Sequence, residues 1–158
     1  MRAVLQRVKQ ASVHGILALV GITHEDAAEQ ADMLVKRILT TKLWPEGAKI
    51  EKNSIVASQD ARSWRESVTE LGGEVLCGTF ARVTAVSQFT LYAKMKGTKP
   101  DFHSAMGGDK AQPFYHEFLT KLRDAYAADK IKGTPWKLMI LDGQFGAMMD
   151  VSLVNDGA

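Results

Sequence analysis

The chain has 158 residues, 46% of them hydrophobic and 24% charged, which is the composition of one compact domain with a sizeable core and excludes a disordered chain. Its formal charge of +2 is too small to argue by itself for a nucleic-acid partner, although a near-neutral average can hide a local basic surface. Cys77 is the only cysteine, so no intramolecular disulfide and no Cys-x-x-Cys pair can form, and it reads as a small buried hydrophobe. No apolar stretch approaches the roughly 18 residues of a membrane helix, and the N-terminus lacks a signal-peptide core, so a soluble cytoplasmic protein is expected.

Residues 1–8 and Ile16–Val20 read as strands, the second covered on both faces because it shows no polar alternation. Thr23 offers a helix cap followed by Glu25 and Asp26 in the first turn, and Ala27, Ala31, Leu34 and Ile38 repeat at helical spacing. Thr41–Trp44 is extended before Pro45. Residues 46–65 are polar and show no sustained period, and are expected to form a long loop insertion. Glu74–Ala93, rich in Val, Thr, Phe and Leu, predicts one or two strands with a break at Gly78. A second helix is expected from Asp109 as cap, with Pro113 in its first turn and Ala111, Phe114, Tyr115, Phe118, Leu122 and Ala125 on one stripe. Trp136–Ile140 and Phe145–Val154 flank Asp142-Gly143, a dipeptide suited to a hairpin turn. The sum is a single α+β domain over residues 1–158, with a largely antiparallel, barrel-like β-sheet and two main helices.

The segment Val86-Ser87-Gln88-Phe89-Thr90-Leu91-Tyr92-Ala93 places hydroxyl and amide groups at the end of a long apolar run, which reads as an active-site strand. The usual hydrolytic apparatus is missing from the sequence: there is no Gly-x-Ser-x-Gly elbow, and His14, His24, His103 and His116 are scattered. Metal-ligand spacings such as His-Glu-x-x-His are also absent, so metal-activated water is not expected. Positioning and electrostatic stabilisation are what these residues can supply.

This segment occurs together with Phe145-Gly146-Ala147-Met148-Met149 and Leu153-Val154-Asn155-Asp156-Gly157. Further stretches accompany them in order: Met1-Arg2-Ala3-Val4, Gln6-Arg7-Val8, Gly21-Ile22-Thr23-His24-Glu25-Asp26, Gly72-Gly73-Glu74-Val75-Leu76 and Lys96-Gly97-Thr98-Lys99-Pro100-Asp101-Phe102. The ordered set resembles the D-aminoacyl-tRNA deacylase family through most of the chain. The resemblance implies an ester hydrolase that needs no cofactor, acts as a homodimer on the 3′ acceptor end of aminoacyl-tRNA, and releases tRNA and a D-amino acid, with glycyl-tRNA as a secondary substrate.

The resemblance also implies residue roles. The backbone of Phe89-Thr90 would stabilise the oxyanion, while Ser87 and Gln88 bind the adenosine end and the aminoacyl group; the neighbouring ribose 2′-hydroxyl of the substrate assists. Thr90 Oγ as a covalent nucleophile is the alternative. Phe145, Gly146 and Met149 would wall the terminal adenine, with Ala111 as a small pocket residue, although on pattern alone all four also suit a core. Lys94, Lys96 and Lys99 form a basic loop suited to phosphates or simply to solvent. In the family an Asn-x-Gly-Pro motif enters the partner subunit's site and tests the substrate's amino group; here Asn155 and Gly157 match it, and Arg7 matches the arginine that holds it.

Two departures bear on this. Ala158 stands where the family has proline, and a cis bond to a non-proline residue costs roughly 2.5–4 kcal/mol. Val13-His14-Gly15-Ile16 runs directly into the central strand where the family has a short hairpin. Both are read as missing sequence in preference to lost stereochemical control. A noncatalytic protein that binds the tRNA acceptor end is the alternative function, and a structural dimer the third.

Overall fold

The computed structural model describes residues 1–10, 15–51, 54–71, 74–77, 88–128, 140–142, 145 and 154–155. In chain order these residues form β1 (Arg2–Gln10), β2 (Gly15–Gly21), α1 (Ala28–Thr40), β3 (Lys49–Glu51), β4 (Ser54–Val56), α2 (Val68–Leu71), β5 (Glu74–Cys77), a 3-10 turn (Phe89–Tyr92), β6 (Lys94–Lys96), β7 (Lys99–Asp101), α3 (Gly108–Ala128), β8 (Ile140–Asp142) and β9 (Val154–Asn155). Five strands make one sheet in the order β8-β5-β2-β1-β9, and β3-β4 and β6-β7 are separate hairpins.

The α+β reading holds, with antiparallel pairing around β1 and in both hairpins. Arg2 lies opposite Gly21 and Val8 opposite Gly15, and β9 joins the other side of β1 with Asn155 opposite Val8. On the far side, however, β5 runs parallel to both β2 and β8. Parallel neighbours need a long crossover, and α1 with the chain that follows it supplies one between β2 and β5. Among the described residues no pairing joins β8 to β9 to close a barrel. The hairpin expected across Asp142-Gly143 lies mostly outside the described residues; its two described ends, β8 and β9, occupy opposite edges of the sheet.

β2 is covered as its unbroken apolar run predicts. Ile16, Ala18, Val20 and Ile22 enter the core cluster, and Leu17 on the other face is equally buried. α1 contributes Ala31, Val35, Ile38 and Leu39, and α3 contributes Ala111, Tyr115, Phe118, Leu119, Leu122 and Tyr126. Burying each large side chain contributes about 1.5–3 kcal/mol, so the seam between these two helices and β2 carries most of the fold. No helix among the described residues is long and apolar enough to cross a membrane.

Both helix starts differ from expectation. α1 begins at Ala28, after Thr23 has been diverted: its hydroxyl donates to Ser104 O at 2.6 Å, and its N–H donates to the Asp26 carboxylate at 2.8 Å. Asp26 also accepts from the Met1 amine, so the polar groups expected to cap the helix instead tie the strand end together. Gln30 then takes over, accepting from the Ala27 N–H at 2.9 Å. The buried stripe is correspondingly turned, with Val35 and Leu39 inside and Ala27 exposed. In α3 the backbone of Gly107 accepts the first bonds, from Lys110 and Ala111, which places Asp109 inside the first turn and Pro113 in the second.

The stretch 46–65 carries more order than a loop. Ile50 faces Ile55 across β3 and β4, and both pack on the core with Ala48. Its base is fastened by Trp44 N–H to Glu66 O (3.1 Å), Glu66 N–H to Trp44 O (3.0 Å) and Arg65 N–H to Trp44 O (2.7 Å). The Ile50 and Ile55 signal is too short to register as a period.

β2 ends at Gly21, and the chain from Gln88 onward crosses directly against it. A Cβ at Gly21 would lie 3.0 Å from Leu91 Cβ and 3.2 Å from both Gln88 O and Tyr92 Cδ2. Overpacking of that kind costs about 1–3 kcal/mol, more than the roughly 0.5–1 kcal/mol gained by replacing a strand glycine. Gly21→Ala is therefore expected to lower the urea midpoint and to shift the amide resonances of Gln88–Leu91; an unchanged midpoint would show that the turn slides freely.

Candidate active site

Among the described residues the motif segment meets the sheet at Gln88, whose N–H donates to Val20 O at 2.9 Å, and then coils. Leu91 N–H donates to Gln88 O at 3.0 Å and Ala93 N–H to Thr90 O at 3.1 Å, so Phe89–Tyr92 is a 3-10 turn where a strand was expected. The aromatic and β-branched composition favours extended chain, but the close approach at Gly21 leaves room only for a bend. Arg2 locks the bend from the opposite side: its guanidinium donates to Leu91 O at 3.2 Å and lies 4.6 Å from the centre of the Tyr92 ring. Burial, reinforced by Asp26, pushes the Tyr92 hydroxyl pKa upward and keeps it neutral.

On its exposed side the turn presents Phe89 and Thr90. Gln88 Nε2 donates to Thr90 Oγ1, so the hydroxyl is held by an amide and not by a histidine among the described residues. The backbone N–H groups of Phe89 and Thr90 have no acceptor among the described residues, as the opening positions of a helical turn leave them. The Phe89 ring, 47% exposed, packs edge-on against Phe102 with centroids 5.0 Å apart.

The basic stretch beyond the turn is a hairpin, with Gly97 at φ +62 in its two-residue loop. Lys96 and Lys99 line an open groove of about 610 Å³ together with Pro100, Asp101, Phe102 and His103. Asp101 anchors it, accepting from the Lys96 ammonium, the His103 ring and the His103 N–H. Lys96 first and His103 second hold this carboxyl far below the usual carboxylate range. No cluster of metal-ligating side chains occurs among the described residues.

Ala111 reaches the same end of β2 by a different route. Ile22 O accepts from Met106 N–H at 2.9 Å, so the chain entering α3 and the 3-10 turn hang from alternate carbonyls, those of Ile22 and Val20, at the end of β2. Ala111 is buried one helical turn before Tyr115, whose ring meets Phe145 with centroids 5.8 Å apart. Gln88, Phe89, Thr90 and Ala111 thus belong to one end of the sheet, and Phe145 joins Ala111 around Tyr115.

Arg7 and Asn155 do not. Arg7 donates to Leu43 O at 2.9 Å and sits 5.8 Å from the Trp64 ring, while the Asn155 backbone lies across from Val8. Arg7 lies five positions along β1 from Arg2, about 16 Å of strand. Ser87, Gly146, Met149 and Gly157 lie outside the described residues. Arg2, Gly21 and Phe102 stand in the stretches that carry the resemblance, but sequence reasoning gave them no role in the site. A glycine closing an apolar strand was a signal for the second; nothing local marks the other two.

A model of the D-Tyr-tRNA(Tyr) deacylase family matches residues 4–158. The chain belongs to that family. It is 42% identical to a D-aminoacyl-tRNA deacylase of Yarrowia lipolytica, across 99% of this chain and 92% of the relative, and 39% identical to one of Drosophila melanogaster, across 99% and 87%. A solved structure titled c-Myc DNA Unwinding Element Binding Protein superposes with a TM-score of 0.74 at 35% identity, covering 99% of this chain and 93% of that one. Membership in the D-Tyr-tRNA(Tyr) deacylase family makes the protein a hydrolase, and the exposed 3-10 turn is where the sequence resemblance and the geometry coincide.

Asp101→Asn should release Lys96 and His103 and loosen the hairpin of this deacylase without unfolding it. Because the Asp101 pKa is depressed by folding, its contribution is present above the ordinary carboxylate range, near pH 4, and is lost as pH falls below it. Amide exchange in residues 94–101 is expected to be faster in the variant at pH 7, with the difference shrinking below pH 4; equal exchange at pH 7 would show that the anchor is dispensable.

Proposed function

We propose that the protein hydrolyses the ester of D-aminoacyl-tRNA in the cytoplasm, freeing tRNA and the D-amino acid as a chiral proofreading step, and accepts glycyl-tRNA because glycine has no side chain to exclude. The observation that carries the mechanism is the exposed Phe89-Thr90 backbone, held at the strand end by Gly21 and Arg2. Preorganised N–H donors aimed at a developing oxyanion are each worth about 2.7–4 kcal/mol in a water-excluded site. The substrate's own 2′-hydroxyl supplies the assistance that no histidine gives Thr90 among the described residues, and no cofactor is required.

In this reading Gln88 and Ser87 hold the adenosine and aminoacyl groups, Phe145, Gly146 and Met149 wall the adenine, and Ala111 leaves room for it. Arg7 with Asn155 and Gly157 acts in the site of a second copy. The roughly 16 Å of β1 between the Arg7 end and the 3-10 turn supports a composite site in a homodimer, because one copy cannot bring both ends to one ester. A barrel-like closure of the sheet remains part of the proposal.

Rejection of L substrates must come from geometry, since the two enantiomers carry identical groups. The test is the single-turnover deacylation of matched D- and L-tyrosyl-tRNA, without added metal and against buffer alone. Loss of the D ester alone is the expected result. Loss of both would remove the chiral role, and binding of tRNA without loss of either would favour a noncatalytic acceptor-end binder.

Thr90→Ala separates the backbone role from the hydroxyl. It keeps the N–H donor and is expected to slow D-ester hydrolysis by less than about tenfold, whereas deleting a true covalent nucleophile costs on the order of 10⁶-fold. A collapse of that size in a folded variant would restore the nucleophile reading.

A further inference from the structure

Trp64 lies away from the 3-10 turn and has no part in the mechanism above, yet it carries two marks of a functional residue. It leaves 61% of its surface exposed, and its backbone adopts φ +59, a conformation that bulky side chains rarely take. The turn that holds it is fixed on both sides. Glu46 N–H donates to Arg62 O at 2.9 Å, and Arg65 N–H donates to Trp44 O at 2.7 Å. Beneath the ring, Arg7 lies 5.8 Å from its centroid and is itself fastened to Leu43 O. The indole is therefore held outward by a braced support and is not merely left out of the core.

The surroundings indicate what it meets. Arg62, Ser63 and Arg65 are all exposed, so the ring stands among cations and hydroxyls. Trp beside Arg also occurs at contacts between protein copies, but the family acts on tRNA, which favours a nucleotide as the occupant. An aromatic plane beside guanidinium groups suits unpaired nucleotides, the base stacking on the ring and the phosphate meeting the cation. Arg62 is paired with Glu46, which leaves Arg65 as the exposed cation placed to meet a phosphate.

We infer that Trp64 is a stacking platform for an unpaired base of the RNA substrate, with Arg65 beside it for the adjoining phosphate. This rests on the deacylase reading for the identity of the RNA. The separation of about 16 Å along β1 keeps the base on Trp64 apart from the ester-binding turn of the same copy.

The experiment measures the affinity of uncharged tRNA with its unpaired 3′ end, and of the same tRNA trimmed to a blunt acceptor stem, for the wild-type chain, Trp64→Gly and Trp64→Phe. Glycine suits φ +59 and so removes the ring without new strain. The expected result is a loss for Trp64→Gly of roughly 5- to 150-fold, the range of one base–aromatic stack, on the intact tRNA only, with Trp64→Phe keeping most of the affinity. In deacylation, KM should rise while kcat holds. Unchanged affinity in Trp64→Gly would overturn the proposal, as would a loss accompanied by a changed sedimentation coefficient, which would make Trp64 a contact between copies. If the wild type binds tRNA in this Trp64-dependent way but leaves D-tyrosyl-tRNA intact, the platform stands and the hydrolase reading falls.

Discussion

The missing side chain of Gly21 is the constraint on which the site depends. β2 supplies a row of apolar residues to the core, and a bulkier residue at its last position would push away the chain that returns at Gln88. With only a hydrogen there, the backbone of Gln88–Tyr92 can lie against the strand end, take one bond from it and bend at once. The bend leaves the Phe89 and Thr90 N–H groups without an acceptor among the described residues, on a support braced by Arg2. Rigidity of this kind is what makes backbone donors useful, since they need no reorganisation when charge develops.

Much of the framework was legible because it rests on long patterns. β2, the buried stripe of α3 and most of the α1 stripe follow from unbroken or helical apolar spacing. The errors fall where long-range contacts override local preference. Thr23 looks like a helix cap until Ser104 and Asp26 claim its hydroxyl and N–H. The motif looks like a strand until Gly21 draws it into a turn. The parallel pairings of β5 are invisible locally, since a four-residue strand carries no mark of its partners. For the site, ordered motif resemblance pointed to Gln88, Phe89, Thr90 and Ala111, which do share one end of the sheet. The resemblance assigned Asn155, with Arg7 holding it, to the partner subunit's site, and within one copy both lie away from the 3-10 turn.

β1 gives this separation a physical form. One arginine near its start holds the 3-10 turn, and another five residues later lies against the Trp64 ring beside the register of β9. Between the two arginines β1 is paired residue by residue with β2, and β9 joins its other side from Val8 onward, so the ladder fixes the distance between the two ends.

The fastening of residues 43–44 to 65–66 has an evolutionary consequence. Four backbone bonds close the excursion at its root, with Leu43 N–H to Glu66 O at 2.8 Å the shortest of those made to Glu66. Chain added above such a closed root, clear of the core contacts of Ala48, Ile50 and Ile55, costs mainly loop entropy, about 0.6 kcal/mol for each doubling of length. This makes the excursion a tolerant site for change in length, a place where a descendant could gain a new surface while the sheet and the turn beneath it remain as they are.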